Sequence, residues 1–434
     1  MYVTLRENQG QRTATAATGV PRRIPATVIG LGVVSLLTDI SSESVTAVLP
    51  LYLTVVLGFG PLAYGFVDGI NQAVSALVRL AGGWWADTTR RPKRIAVLGY
   101  GGSALSRLGF LLVQGFWPLT AMITLDRLGK GLRTGPRDAM IAAASDPRAL
   151  GRNFGVHRAL DTTGALIGPL LAFGILFAVP YGLGGYRSVF AVSAAFAVIG
   201  VAVLLLAVPV SRFRPSAPAE PPEPTEPTEA PEPAEAPIRP ERTRRLPVPV
   251  PLLVAAGLLG LVTIGDGFLY LALSEAGAVP PQLFPLLFVG TSVTYLALAV
   301  PFGRLADRFG RWKLFLAGHL VLLVGYLITA AGPTGLPGLI AVVGLLGVYY
   351  AATDGVLSAL AAQLSPEGRR ASGISAAQTV VAVSRFGSAV GFGLLWQLTG
   401  QQLALFVVAG ALLIMVPVAG RLLAASVRRG SVPA

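Results

Sequence analysis

Cysteine is absent from this chain, and histidine occurs only as His157 and His319. Without thiolates there is no disulfide, no Cys nucleophile and no thiolate metal site, and two imidazoles cannot build a multi-histidine metal centre. Charge is scarce as well. Asp, Glu, Lys and Arg make up 13% of the residues against 53% apolar ones, and the mean hydropathy is +0.67. One soluble core cannot bury that much apolar surface, so the chain reads as a polytopic, all-α membrane protein whose first partner is the lipid bilayer. The formal charge of +13 does not point to nucleic acid, because the Lys and Arg residues stand at the ends of apolar segments rather than on one basic domain. No His-Glu-x-x-His helix and no folded soluble insertion is present, which argues against a membrane enzyme or sensor and implies no cofactor.

What is there is a series of membrane-length apolar runs. Residues 1–25 are polar, carry Arg6, Arg12, Arg22 and Arg23, lack the apolar core of a secretory signal, and read as a cytoplasmic tail. Apolar segments follow at 26–57, 61–86, 94–115, 117–143, 153–179 and 186–208, and again at 250–276, 280–305, 313–331, 335–363, 371–399 and 401–427. The expected plan is twelve spans in two halves, 26–210 and 250–427, with a short tail at 428–434. Between the halves, 211–249 turns to Pro, Glu, Ala and Thr, with a Glu every third residue from Glu220 to Glu235. Such a segment buries no core and reads as an extended solvated tether.

The halves share a loop. Gly83, Asp87, Arg91 and Lys93 after the second span recur at identical spacing as Gly303, Asp307, Arg311 and Lys313 after the eighth, which marks an internal duplication. Basic residues gather in alternate loops: Arg90 to Arg94, Arg148 and Arg152, the tether, Arg308 and Arg311, Arg369 and Arg370, then Arg428 and Arg429. The opposite loops offer only Arg187. The positive-inside rule then places both termini and the tether in the cytoplasm of a cell inner (plasma) membrane protein.

Two six-span halves, a central tether and a Gly-x-x-x-Asp loop in each half resemble the major facilitator superfamily over residues 26 to 427. The resemblance implies that the loops, with Gly83, Asp87, Arg91, Gly303, Asp307, Arg308 and Arg311, latch the halves together in one state. A pure topology signal is the alternative, but it requires neither the Gly nor the Asp. The first copy departs from the family pattern at Thr88 and Arg90. Arg127-Leu-Gly-Lys-Gly131 resembles the fourth-span pattern of proton-coupled efflux members. Gly155, Gly164, Gly168 and Pro169 resemble the fifth-span antiporter pattern, although Ala172-Phe173 replaces its closing Gly pair.

Ionisable residues within spans are costly and need partners or a function. They concentrate on spans one, four, seven and ten, as Asp39, Glu43, Asp126, Arg127, Lys130, Arg133, Asp266, Glu275 and Asp354, and the resemblance places those helices around a central cavity. Asp39 and Glu43 share one helix face, and their depth matches that of Asp126 and Arg127, so Arg127 can pair with any of the three acids. One of these acids is expected to carry a coupling proton, a structural ion pair being the alternative. Asp68 with Arg107 is expected to form a structural pair. His157, Arg158 and Asp161 are expected to snorkel or pair with the fourth span, and His319 to be a packed imidazole. Gly65 with Gly69, Gly164 with Gly168 and Gly387 with Gly391 are read as close contacts at the hinge between halves.

These readings lead to a monomeric, proton-coupled secondary transporter that exports a small amphipathic molecule past Phe268, Tyr270, Tyr349, Tyr350 and Trp396. Uptake of a small organic anion, suggested by the basic fourth span and by Arg385, is the alternative.

Overall fold

The computed structural model describes residues 23–89, 91–180, 182–209, 248–333, 335–366 and 369–430, with the backbone alone at 79–89, 147, 371 and 429–430. Every regular element among the described residues is a helix. The first half holds α1 (Ala26–Leu51), α2 (Pro61–Thr89), α3 (Pro92–Leu112), α4 (Phe116–Ala144), α5 (Leu150–Ala178) and α6 (Leu183–Leu206). The second holds α7 (Val250–Leu261), α8 (Asp266–Glu275), α9 (Pro285–Phe309), α10 (Arg311–Ala330), α11 (Leu336–Gln363), α12 (Arg370–Thr399) and α13 (Gln401–Gly430). Helices α7 and α8 occupy one span, so the chain crosses twelve times.

Ten of these crossings are long and apolar enough to span a membrane on their own sequence. Helix α4 is not, because it carries Asp126, Arg127, Lys130, Arg133, Arg137 and Asp138; it is instead flanked by α2 and α3. Large apolar side chains such as Leu112, Trp117, Phe177, Leu206 and Leu398 face outwards, as a lipid-facing surface requires. Sharp connections rest on glycines with positive φ. Gly310 (φ +99°) ends α9 and caps α10 in a single residue, and Gly400 (φ +84°) does the same between α12 and α13.

The duplication is visible in the packing. Helix α1 packs on α5 and α6, α3 on α4 and α6, and α2 on α4. The second half repeats each contact as α7 on α12 and α13, α10 on α11 and α13, and α9 on α11. Between the halves, α2 packs on α12 and its symmetry image α5 packs on α9.

The seventh span departs from the sequence expectation of one continuous helix over 250–276. It is broken at Val262–Gly265, and the Tyr326 hydroxyl of α10 holds the break: it accepts from the Ile264 amide (2.9 Å) and donates to the Val262 carbonyl (3.3 Å). Those backbone groups have no intrahelical partner and lie in a buried stretch, so a side chain has to satisfy them. The first span also ends irregularly. Pro50 lacks an amide donor, and a π-turn follows over Tyr52–Val56.

Candidate functional site

The site is built from the faces that the two halves turn towards each other. In the first half, α1 and α4 run antiparallel, and residues four apart on α1 meet residues three or four apart on α4. Glu43 pairs with Lys130 (3.2 Å), Asp39 with Arg133 (3.5 Å), and Ser35 accepts from Arg137 (3.3 Å). Nearer the other end, Asp126 is shared by Arg107 of α3 and its neighbour Arg127, each at 2.7 Å. Arg137 continues the series to Asp161 of α5 at 3.6 Å, and Arg133 lies over the Tyr100 ring at 4.4 Å. Thus Arg127 pairs with Asp126, while Asp39 and Glu43 take other cations. Arg107 was expected to pair with Asp68 and does not: Asp126 offers it a fully buried partner on the adjacent helix, and Asp68 faces the second half instead. The expected tie between Asp161 and the fourth span is present through Arg137, while Arg158 is exposed and His157 is buried.

The second half uses hydroxyls where the first uses ions. Asp266, the first residue of α8, accepts from the Tyr350 hydroxyl at 2.5 Å. Asp354 is exposed within its span and accepts from Tyr295 at 3.4 Å. Arg385 donates to the Tyr349 hydroxyl at 2.9 Å, and its buried Nε has no hydrogen-bond partner. His319 is the packed imidazole expected of it. Its Nδ1 bonds the Phe315 carbonyl at 2.8 Å, and since a carbonyl only accepts, Nδ1 carries the proton.

Two cavities meet at Tyr350 and Gln72. The larger, about 420 Å³, is walled by Gln72, Arg158, Thr263, His319, Tyr349, Tyr350, Thr353, Asp354, Ser358, Gln378 and Arg385, and runs towards the end of the bundle that carries the basic loops. The smaller, about 280 Å³, contains Glu43, Tyr64, Asp68, Asn71, Arg127, Asp266 and Tyr350. The opposite end is closed by a seam between α2 and α12. A Cβ at Gly69 would lie 3.2 Å from the Phe386 carbonyl oxygen, and one at Gly393 would lie 3.0 Å from the Leu62 Cα. Tyr64, Phe268, Phe392 and Trp396 interlock across this seam, with ring centroids 4.8 to 5.9 Å apart.

Several expectations change. Phe268 and Trp396 belong to the seam, and Tyr270 bonds Thr291 at 2.6 Å in the second-half core, so only Tyr349 and Tyr350 of the proposed aromatics face the cavity. Gly65 and Gly69 do bring the halves together. Gly164 and Gly168 instead pack on α1 of their own half, Gly387 faces Leu261 of its own half, and Gly155 and Gly391 face open space. Gly393 is the α12 glycine that meets α2. Asp307 pairs with Arg311 at 3.0 Å, and Arg311 reaches the Ala359 carbonyl and Gln363 of α11, both at 3.3 Å. In the conformation described, Asp307 and Arg311 therefore tie their loop to their own half; Gly303 and Arg308 are exposed. Arg91 is exposed at the start of α3, and the side chains of Gly83 and Asp87 lie outside the described residues. Sequence reasoning missed Gln72, Ser358 and Gln378. Gln72 carried a signal, since it stands four residues after Asp68 and so shares its helix face.

Residues 31–276 and 260–433 match the family model described as the Major Facilitator Superfamily. An uncharacterized MFS-type transporter of Methanocaldococcus jannaschii is 28% identical over 412 residues, covering 91% of this chain and 96% of that protein. An uncharacterized protein of Mycobacterium bovis is 34% identical over 146 residues, covering 33% of this chain and 35% of that one. Among solved structures, the nucleoside transporter NupG has a TM-score of 0.70 at 14% identity, covering 91% of this chain and 98% of its own. A peptide transporter POT in complex with sulfate has a TM-score of 0.71 at 14% identity, covering 95% and 97%.

Proposed function

Because the chain belongs to the major facilitator superfamily, as a multi-pass secondary transporter of a small molecule rather than an enzyme, we propose that it couples protons to the movement of a small polar organic solute by alternating access. The observation that carries this reading is the cavity itself. It is sealed at one end by the α2–α12 seam and is lined by Gln72, Thr263, Tyr349, Thr353, Ser358, Gln378 and Arg385. That lining matches a solute with several hydrogen-bonding groups better than a large amphipathic one. Both termini and the tether are cytoplasmic in this reading, the protein works as a monomer in the cell membrane, and the conformation described opens inwards.

Of the two directions weighed from sequence, uptake of a small organic anion gains support from Arg385, a cation in the cavity wall with an unpartnered Nε. Export retains the fifth-span pattern, whose Gly164 and Gly168 let α5 approach α1 closely. Proteoliposomes with an imposed pH gradient decide between them, using mono- and dicarboxylates and amphipathic cations as probes. Gradient-driven accumulation of carboxylates is the expected result. Movement of the cations against the gradient, with the carboxylates inert, would restore export.

A further inference from the structure

We propose that Asp68 of α2 and Asp266 of α8 form one shared proton site across the seam between the halves, with Arg385 as its counter-charge. The proposal rests on the transporter reading above and names the groups that would couple it.

The acids of α1 and α4 are already paired: Asp126 holds two arginines, Asp39 holds Arg133 and Glu43 holds Lys130. Asp68 and Asp266 differ. Neither makes an ion pair within 4.0 Å among the described residues, and Asp68 Oδ2 is shielded from solvent without a hydrogen-bond partner. Asp68 belongs to the first half, yet its carboxyl lies against Gly265, the residue before Asp266. A Cβ at Gly265 would press on the Asp68 carboxyl, with Oδ2 its nearest atom, so the two halves meet closely there. The two carboxyls line the same small cavity, and Arg385 lines the adjoining one, which shares Gln72 and Tyr350 with it.

Thr46, Asn71 and Gln72 line the same cavity, and its other charged or titratable groups are four. Tyr350 donates to Asp266, Tyr64 places its hydroxyl against Gly267, and Glu43 and Arg127 border the same cavity but are engaged with Lys130 and Asp126. Arg385 stands behind Tyr349, the neighbour of Tyr350.

The charge balance makes the site a coupling device. With both carboxyls ionised, the trio with Arg385 carries one net negative charge. With one proton on either carboxyl, it carries none. Like charges close together in a low-dielectric site cannot both stay ionised, and a neutral group of three is the form that closure of the seam can bury. Because Asp68 moves with one half and Asp266 with the other, parting the seam exposes both acids to water and releases the proton. Proton binding and the closing of this end are therefore one event.

The test needs no substrate. Infrared difference spectra of the full chain in lipid nanodiscs, recorded across a pH jump, should show the carbonyl stretch of a buried protonated carboxyl. That band is expected to vanish in Asp68→Asn and in Asp266→Asn singly, to remain in Asp39→Asn, and to return in Asp68→Glu. Its persistence in both Asn variants overturns the proposal, and loss in Asp266→Asn alone replaces the shared site by a single acid. Arg385→Gln is expected to move the pH midpoint of the band, and an unmoved midpoint removes Arg385 from the site. Helical circular dichroism equal to that of the parent chain admits each variant to the comparison, with Asp266→Glu standing in for an Asn variant that fails it. A titrating band without movement of any solute in proteoliposomes defeats the transport reading alone; movement without the band defeats this proposal alone.

Discussion

The two halves share a fold and handle intramembrane charge in opposite ways. On α1 and α4 every acid meets a base, and Asp126 meets two, whereas on α8, α11 and α12 three charged groups meet tyrosine hydroxyls: Asp266 with Tyr350, Asp354 with Tyr295, and Arg385 with Tyr349. A paired buried ion costs several kcal/mol to separate, and on the proposal above the first-half array serves as a scaffold across α1, α3, α4 and α5. A carboxyl bonded only by a hydroxyl keeps the choice between its charged and neutral forms. On the proposal above, the acids left without an ion pair, Asp68 of the first half and Asp266 of the second, are the ones that respond to protons.

The contrast can be broken most forcefully at Asp126. Replacement by Asn leaves Arg107 and Arg127 buried without a counter-ion, at a cost of about 3–5 kcal/mol, and is expected to abolish recovery of monodisperse protein by size-exclusion chromatography. A stable, fully recovered Asp126→Asn protein would show that the array is not a scaffold. Next in size, Asp266→Asn is expected to lower proton-driven solute flux by about tenfold or more, equivalent to about 1.4 kcal/mol, with recovery unchanged. Flux equal to that of the parent would erase the distinction between the halves.

The seam supplies a third test. Gly393→Leu places side-chain atoms against Pro61 and Leu62 and should hold that end apart, so that a cysteine introduced at Gln72 becomes labelled from the sealed side. The native chain contributes no background because it has no cysteine, and unchanged labelling would mean that the seam closes without close contact. Smaller still, Glu43→Gln breaks a half-exposed pair with Lys130 and should shift the melting temperature by only the equivalent of about 1 kcal/mol or less. The smallest effect belongs to Asp307→Asn, whose exposed i,i+4 pair with Arg311 is worth about 0.5 kcal/mol. A large fall in flux there would revive the latch between halves in another conformation.

Much of this was open to reading along the chain. Apolar runs of membrane length and the loop repeated after Gly83 and Gly303 specify twelve crossings in two related halves, since both are local properties of composition and spacing. Asp39, Glu43, Arg127, Lys130 and Arg133 were recognisable as a charged face, because helical periodicity fixes which residues share a side. Partner choice was not recognisable. Depth alone allowed Arg107 to meet Asp68, and only the rotation of α2 about its axis turns Asp68 towards α8 and leaves Arg107 to Asp126. The aromatics failed in the same way: Trp396 and Phe268 looked like a binding surface and form the closing seam instead.

What the sequence determined by itself is the number of crossings, the duplication, the side on which the basic loops lie and the set of costly buried charges. Each follows from the free energy of placing one segment in lipid, which depends on that segment alone. What the tertiary structure decided is which charges cancel and which remain uncompensated. Coulomb energy and desolvation at about 3 Å depend on helix rotation and on contacts between residues far apart in the chain, such as Asp68 and Gly265, and no local pattern encodes those.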